Sequence, residues 1–324
     1  MVGAVIRVLV TGSTGFIGDA LLAHLDADVK FDAVGSTRSE LDSATAEPKR
    51  ITVGELGVDT DWRLALDRVD TVVHAAARVH VMGDTGADAL ATYRNVNVTG
   101  TLRLAEQARA AGVSRFVFLS SVKVNGESTE PGKPFTGADA PAPVDSYGIS
   151  KWEAERALAE FCGAAGMELV TIRPTLVYGP GVRANFEILL RFLQRGVPLP
   201  LAGVRNQRSM IGIRNLVSLI ETCIVSEAAP ERVFMAADGE DLSTPELLRR
   251  AARAMDCKAR LFFAPQGLIR LGARFAGRER YARRLLDSLQ VDIGTARSAL
   301  GWAPPFTVDD ELRRTADRYL GRDR

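Results

Sequence analysis

No apolar run in this 324-residue chain reaches the roughly 20 residues that a membrane-crossing helix needs. The N-terminus enters a strand-like run almost at once, so neither a membrane span nor a signal peptide is expected. Cysteine is scarce and odd in number. Cys162, Cys223 and Cys257 stand far apart, which argues against a disulfide framework and for small buried hydrophobes in a reducing, cytoplasmic setting. His24, His74 and His80 are the only histidines, and with no close cluster of His, Cys and acidic residues no metal site is expected. Charge of one sign is also lacking: 41 Lys and Arg stand against 40 Asp and Glu. No global field draws nucleic acid, and no basic stripe interleaved with aromatic platforms is evident. Internal repeats and low-complexity tails are absent too.

What is present is a soluble-type mixture, 46% hydrophobic and 25% charged, long enough for one large α/β domain and a smaller lobe. Apolar runs at 5–10, 31–35, 51–54, 69–74, 115–120 and 168–173 read as strands. Helical patterns at 20–25, 93–111 and 150–165 alternate with them, which favours a mostly parallel sheet covered on both faces. After Pro174 the pattern loosens, and Pro180, Pro198 and Pro200 interrupt it. Residues 1–178 are therefore read as one α/β domain, which the two motifs below mark as dinucleotide-binding and catalytic. Residues 179–324 are read as a second lobe, which the resemblance below makes the substrate-binding one, with about 209–226 returning to the main domain. Helices are expected at 247–255, 282–289 and 308–319, and 267–277 reads as a short amphipathic packing helix rather than a membrane contact.

Two motifs carry the chemistry. Gly12, Gly15 and Gly18 follow the first strand with GxxGxxG spacing. Glycine there permits a tight turn, lets backbone approach a pyrophosphate, and opens a helix whose free N–H groups face the anion. The second motif is Tyr147 with Lys151, four residues on and so on one helical face if the helix begins near Tyr147. The phenol can give a proton to a forming alkoxide or take one from an alcohol. The lysine charge favours phenolate and can hold a cofactor ribose.

Ser120 and Ser121 close the fifth strand and point to opposite faces; either can offer a hydroxyl to a substrate oxygen. The second strand ends Gly35-Ser36-Thr37-Arg38 without an acid, and Arg38 suits a 2′-phosphate, so NADP is favoured with NAD possible. Glu55 can accept from an adenine amino group, and Ala75, Ala76 and Ala77 leave room for a cofactor backbone. His74 reads as a packed strand-end histidine. The role of Lys123 is open, and Asn97 either braces backbone or packs helices.

Together Thr11 to Gly18, Val73 to Ala77, Asn97 to Thr101, Phe118 to Gly126, Tyr147 to Lys151, Arg173 to Gly181 and the late Leu300-Gly301-Trp302 resemble the extended short-chain dehydrogenase/reductase family, in its nucleotide-sugar epimerase/dehydratase branch. The resemblance covers nearly the whole chain. It implies a Rossmann-type doubly wound parallel sheet with a smaller, discontinuous C-terminal substrate-binding lobe. It places Ser121, Tyr147 and Lys151 at the catalytic positions. Gly12, Gly15, Phe16, Ile17, Gly18, Thr37, Arg38, Glu55, Leu56, Ala75, Ala76, Ala77, Asn97, Ser120 and Pro174 join Tyr147 and Lys151 around the cofactor. Ser121, Lys123, Tyr147, Asn185, Arg208 and one of Arg283 or Arg284 meet the substrate, a UDP-sugar gated by residues 83–91 and 180–206. A homodimer is implied, with no nucleic-acid or membrane partner.

Val122 and Lys123 stand where sugar dehydratases of that family carry an Asp-Glu pair, so water elimination lacks its acid and base. The segments around Ser121 and Tyr147 look closest to bacterial surface-polysaccharide proteins. The leading expectation is a UDP-4-keto-6-deoxy-N-acetylhexosamine 4-reductase. The alternative is a UDP-sugar 4-epimerase of the UDP-glucose or UDP-N-acetylglucosamine type, and a dinucleotide-binding protein without turnover is a distant third.

Overall fold

The computed structural model describes residues 5–39, 49–79, 87–183 and 185–322. Among them a seven-stranded parallel sheet runs in the order β3-β2-β1-β4-β5-β6-β9. Its strands are β1 (Ile6–Thr11), β2 (Phe31–Thr37), β3 (Arg50–Thr52), β4 (Thr71–His74), β5 (Arg115–Leu119), β6 (Glu168–Pro174) and β9 (Arg232–Ala236). Chain order reverses at β1, which places the crevice at the carboxyl ends of β1 and β4, where doubly wound sheets bind ligands.

The strands are apolar at successive positions because both faces are covered. Val8, Val10, Val73, Val117, Val170 and Ile172 face one core with α1 (Phe16–Asp26) and α6 (Ile213–Val225). Leu9, Val72, Phe116, Phe118 and Leu169 face another with α3 (Gly100–Ala110) and α4 (Ser146–Ala165). Neighbouring residues alternate between the two cores, as the two-residue repeat of a strand requires.

A third core joins α5 (Asn185–Gln194), α7 (Thr244–Ala254) and α11 (Val308–Tyr319) through Phe186, Leu190, Leu248, Ala251 and Leu312. A short ribbon of β7 (Leu176–Tyr178) and β8 (Met210–Gly212) precedes α6. The remaining helices are α2 (Ala87–Arg94), α8 (Gln266–Phe275), α9 (Glu279–Leu286) and α10 (Gly294–Leu300).

Three findings depart from the sequence expectations. The helix expected over 93–111 is α2, then a π-helical turn at Asn95–Thr99, then α3. The wider turn lets Asn97 point inward, and Gly100 passes so near the loop at Gly57 that an added Cβ would stand 3.2 Å from its nitrogen. α4 begins at Ser146, because the Asp145 carboxylate accepts from the Gly148 N–H at 2.8 Å and caps it. The last strand, β9, was not foreseen.

Candidate functional site

The glycine turn is fixed by contacts that no side chain could share. Gly12 has φ +68°, and a Cβ there would lie 2.8 Å from the Ala76 Cα. A Cβ on Gly18 would lie 2.2 Å from the Gly12 carbonyl oxygen. Gly15 begins α1 without a side-chain cap, so the helix turns its first N–H groups toward the cavity above it. That cavity, about 590 Å³, is lined by Gly12, Gly15, Phe16, Ile17, Gly18, Thr37, Arg38, Glu55, Leu56, Ala75, Ala76 and Ala77, with Arg78 and Val79 beyond. A narrow glycine cradle at a helix start, with an alanine wall opposite, fits a dinucleotide pyrophosphate.

Arg38 lies at the cavity rim, 3.6 Å from Glu55, both largely exposed. His74 is spent on packing. Its ring bridges Thr11 Oγ1 at 2.7 Å and Thr101 Oγ1 at 2.9 Å. Burial, then the Lys151 charge, bring its pKa down to about 3, so it stays neutral. Asn97 lines neither cavity among the described residues. Its carboxamide oxygen accepts from the Arg78 N–H at 2.8 Å, and its nitrogen donates to Arg78 O at 3.1 Å and to Ser150 Oγ at 2.9 Å. It ties the cofactor-side segment to α4 and holds both in place.

A second cavity of about 380 Å³ adjoins the first at Val79 and opens between the sheet and the later helices. Ser121, Lys123, Tyr147 and Pro174 line one side, and Arg208, Arg283, Arg284 and Leu285 the other. The Ser121 hydroxyl accepts from the Lys123 N–H at 3.2 Å and lines the same cavity as the Tyr147 phenol. The Tyr93 ring meets the Tyr147 ring edge-on at 6.3 Å.

Half-buried Tyr147 has its pKa pushed up, first by desolvation and then by Asp145, against the Ser121 hydrogen bond. The ammonium of Lys151 is buried. It donates to Leu119 O at 2.7 Å and lies 4.5 Å from the centre of the Phe118 ring. Desolvation brings its pKa down to about 7, opposed by Glu155 one helical turn along. The Ser120 hydroxyl is buried with no hydrogen-bond partner among the described residues.

Lys123 lines the second cavity, but its ammonium is engaged by Glu127 at 3.0 Å and by Asp145. Arg208 donates to the Asp287 carbonyl at 3.0 Å. Burial and then the charge of Arg284 lower its pKa, so the two guanidinium groups feel one another at the cavity wall. Arg283 and Arg284, left as alternatives by the sequence, both line it. The Asn185 side chain lies outside the described residues, as do 83–86 and 184 of the expected gate.

Two features of the site went unforeseen. Asp145 caps α4 beside Tyr147, a feature signalled by an aspartate just before the helix. The other is a buried pair behind Lys151. Arg173 Nε and Nη2 donate to Glu155 at 2.9 and 2.6 Å, and Nη1 donates to Asn125 at 3.0 Å. No short motif announces it, because its members come from α4, β6 and a loop.

Comparison with known proteins agrees with this geometry. Residues 8–235 match the family model of the NAD dependent epimerase/dehydratase family. A curated UDP-glucose 4-epimerase from Vibrio cholerae is 42% identical over 97% of this chain and 95% of its own length. The structure of MoeE5 in complex with UDP-glucuronic acid and NAD superposes with a TM-score of 0.76 at 26% identity, covering 98% of this chain and 99% of that one. The UDP-glucuronic acid 4-epimerase of Bacillus cereus shares the fold with a TM-score of 0.79 at 19% identity, over 98% of this chain and 100% of that one. With its glycine cradle, its Tyr147 and Lys151, and a family match spanning most of its length, the chain belongs to the NAD-dependent epimerase/dehydratase family.

Proposed function

We propose that the protein is a UDP-sugar 4-epimerase using NAD held at the glycine turn. The observation that carries this reading is the full-length 42% identity to a UDP-glucose 4-epimerase. It moves the balance from the 4-ketoreductase that led the sequence reading to the epimerase that stood second. NAD is preferred over NADP because Glu55 faces Arg38 at 3.6 Å, which divides the charge a 2′-phosphate would need. The MoeE5 complex with NAD supports the same choice.

The bound nicotinamide would supply a reversible hydride acceptor at C4 of the sugar. Tyr147 takes the proton of the 4-hydroxyl as that carbon is oxidised and returns it when the hydride comes back on the opposite face. Ser121, lining the same cavity as Tyr147, holds the 4-oxygen against the phenol. Lys151, one turn along α4, would hold the cofactor ribose, and its charge would lower the cost of phenolate at Tyr147. Arg208 and Arg283 hold the diphosphate, and the adjacent guanidinium of Arg284 adds to their field. Lys123 acts on the sugar side through its hold on Asp145.

The test is incubation of the purified protein with UDP-glucose or UDP-N-acetylglucosamine without added reductant, following the C4 epimer by NMR. Appearance of the galacto-epimer with no net cofactor consumption is expected. Stoichiometric NADPH oxidation with a UDP-4-keto-6-deoxy-N-acetylhexosamine, and no epimerisation, would return the reductase to first place.

A further inference from the structure

α8 carries two apolar stripes, and the fold uses one. Ile269 and Ala273, four residues apart, pack against the third core. Leu268, Leu271 and Phe275, at the i, i+3, i+7 spacing of a separate stripe, are 63%, 49% and 85% exposed. No residue of the helix is fully buried. Phe262 and Phe263, just before the Pro265 that opens the helix, are 49% and 72% exposed. A single exposed Leu is ordinary, but aromatic and aliphatic side chains gathered on one short segment form a surface.

Its charge is equally one-sided. From 258 to 278 the chain holds Lys258, Arg260, Arg270, Arg274 and Arg278 and no acid, in a protein otherwise near neutrality. At 100° per residue, Arg270 and Arg274 form a third stripe of α8 beside the exposed apolar one. They meet Asp287 at 2.6 Å and Glu279 at 3.7 Å, acids that lie beyond the segment.

We propose that this face docks the protein on an anionic lipid bilayer. Phe262, Phe263, Leu268, Leu271 and Phe275 enter the boundary between headgroups and acyl chains, and the arginines meet lipid phosphates with their stems along the apolar surface. A bilayer matches the pattern because it offers both partners at once, a greasy layer beneath a negative one. This departs from the sequence expectation of no membrane partner; it needs no spanning helix, and the described residues contain none. α9 packs against α8, and its Arg283 and Arg284 line the sugar cavity, so docking brings that cavity close to the lipid surface.

The experiment is flotation of the full chain with vesicles of phosphatidylglycerol and phosphatidylcholine, against vesicles of phosphatidylcholine alone. Salt-sensitive binding to the anionic vesicles is expected. Leu268→Ser/Leu271→Ser/Phe275→Ser should weaken it at least tenfold while the thermal midpoint and soluble turnover stay unchanged. Arg274→Glu/Arg278→Glu, which leaves the apolar stripe intact, should weaken it as well. Failure of the wild type to bind anionic vesicles, or equal binding by both variants, overturns the proposal. So does a dimer that the serine variant dissociates while wild-type protein ignores lipid, since the stripe would then be a protein–protein surface.

Discussion

The two cavities that meet at Val79 are built in opposite ways. The glycine-turn cavity is shaped by backbone and by the smallest side chains, with Gly12, Gly18 and Ala76 in contacts that leave no room for another atom. The cavity beyond Tyr147 is shaped by long side chains, Arg208, Arg283 and Arg284, reaching in from separate elements. A pyrophosphate has one fixed shape and charge, so a rigid backbone cradle suffices for it. A sugar nucleotide that must be held and let go calls for side chains that can adjust. The first cavity therefore has little tolerance for substitution, and the second can change its preferences without disturbing the sheet.

The largest predicted effect lies in the second cavity, at its phenol. Tyr147→Phe should cost about 10²- to 10⁴-fold in turnover, with dinucleotide binding retained in a fluorescence titration. Next comes the buried pair behind Lys151. Glu155→Gln leaves the Arg173 guanidinium without its carboxylate and should cost about 3–5 kcal/mol in denaturant unfolding. Arg208→Ala tests the side-chain half. It should raise KM about tenfold or more while the unfolding midpoint barely moves, the loss being one charge-assisted contact.

Gly18→Ala tests the backbone half and should show the opposite pattern. A Cβ 2.2 Å from the Gly12 carbonyl oxygen forces the turn apart, costing about 1–3 kcal/mol of stability and weakening dinucleotide affinity in the same titration. Equal effects of these two variants on stability would erase the contrast between the cavities.

The smallest effect is one of pH. His74 is held neutral in the fold with its pKa near 3 against an ordinary 6.5, so the unfolded chain binds the proton more readily. Its contribution to stability is whole above pH 6.5. It falls as pH drops below that value toward 3, at up to about 1.4 kcal/mol per pH unit. His74→Gln should flatten that part of the unfolding profile; an unchanged slope would show that carboxylates dominate it.

The same contrast explains what the sequence disclosed. The glycine turn and the Tyr147/Lys151 pair were legible because their chemistry needs particular residues at short fixed spacing, and β1, β2, β4, β5 and β6 because burial on both faces leaves largely apolar runs, whereas β3 is a three-residue edge strand with no buried residue. β9 escaped because five residues, Arg232–Ala236, carry too little pattern once the alternation of strand and helix has lapsed. The π turn at Asn95–Thr99 escaped because an extra residue in a helix leaves no mark in its composition. The convergence of Arg208 with both Arg283 and Arg284 is set by tertiary packing alone.

The pairing of β6 with β9 also sets the order of events at the ribosome. The chain leaves the sheet after Pro174 and returns to it only at Arg232. Tyr147 and Lys151 are thus synthesised well before the sheet's last edge can be covered. Until then the nascent protein presents β6 as an open edge, with unpaired amides on an apolar strand, a template for wrong pairing. A polypeptide ending near residue 178 would hold the glycine turn and the Tyr147/Lys151 pair yet keep that edge exposed permanently. Its expected fate is aggregation rather than a working half-enzyme.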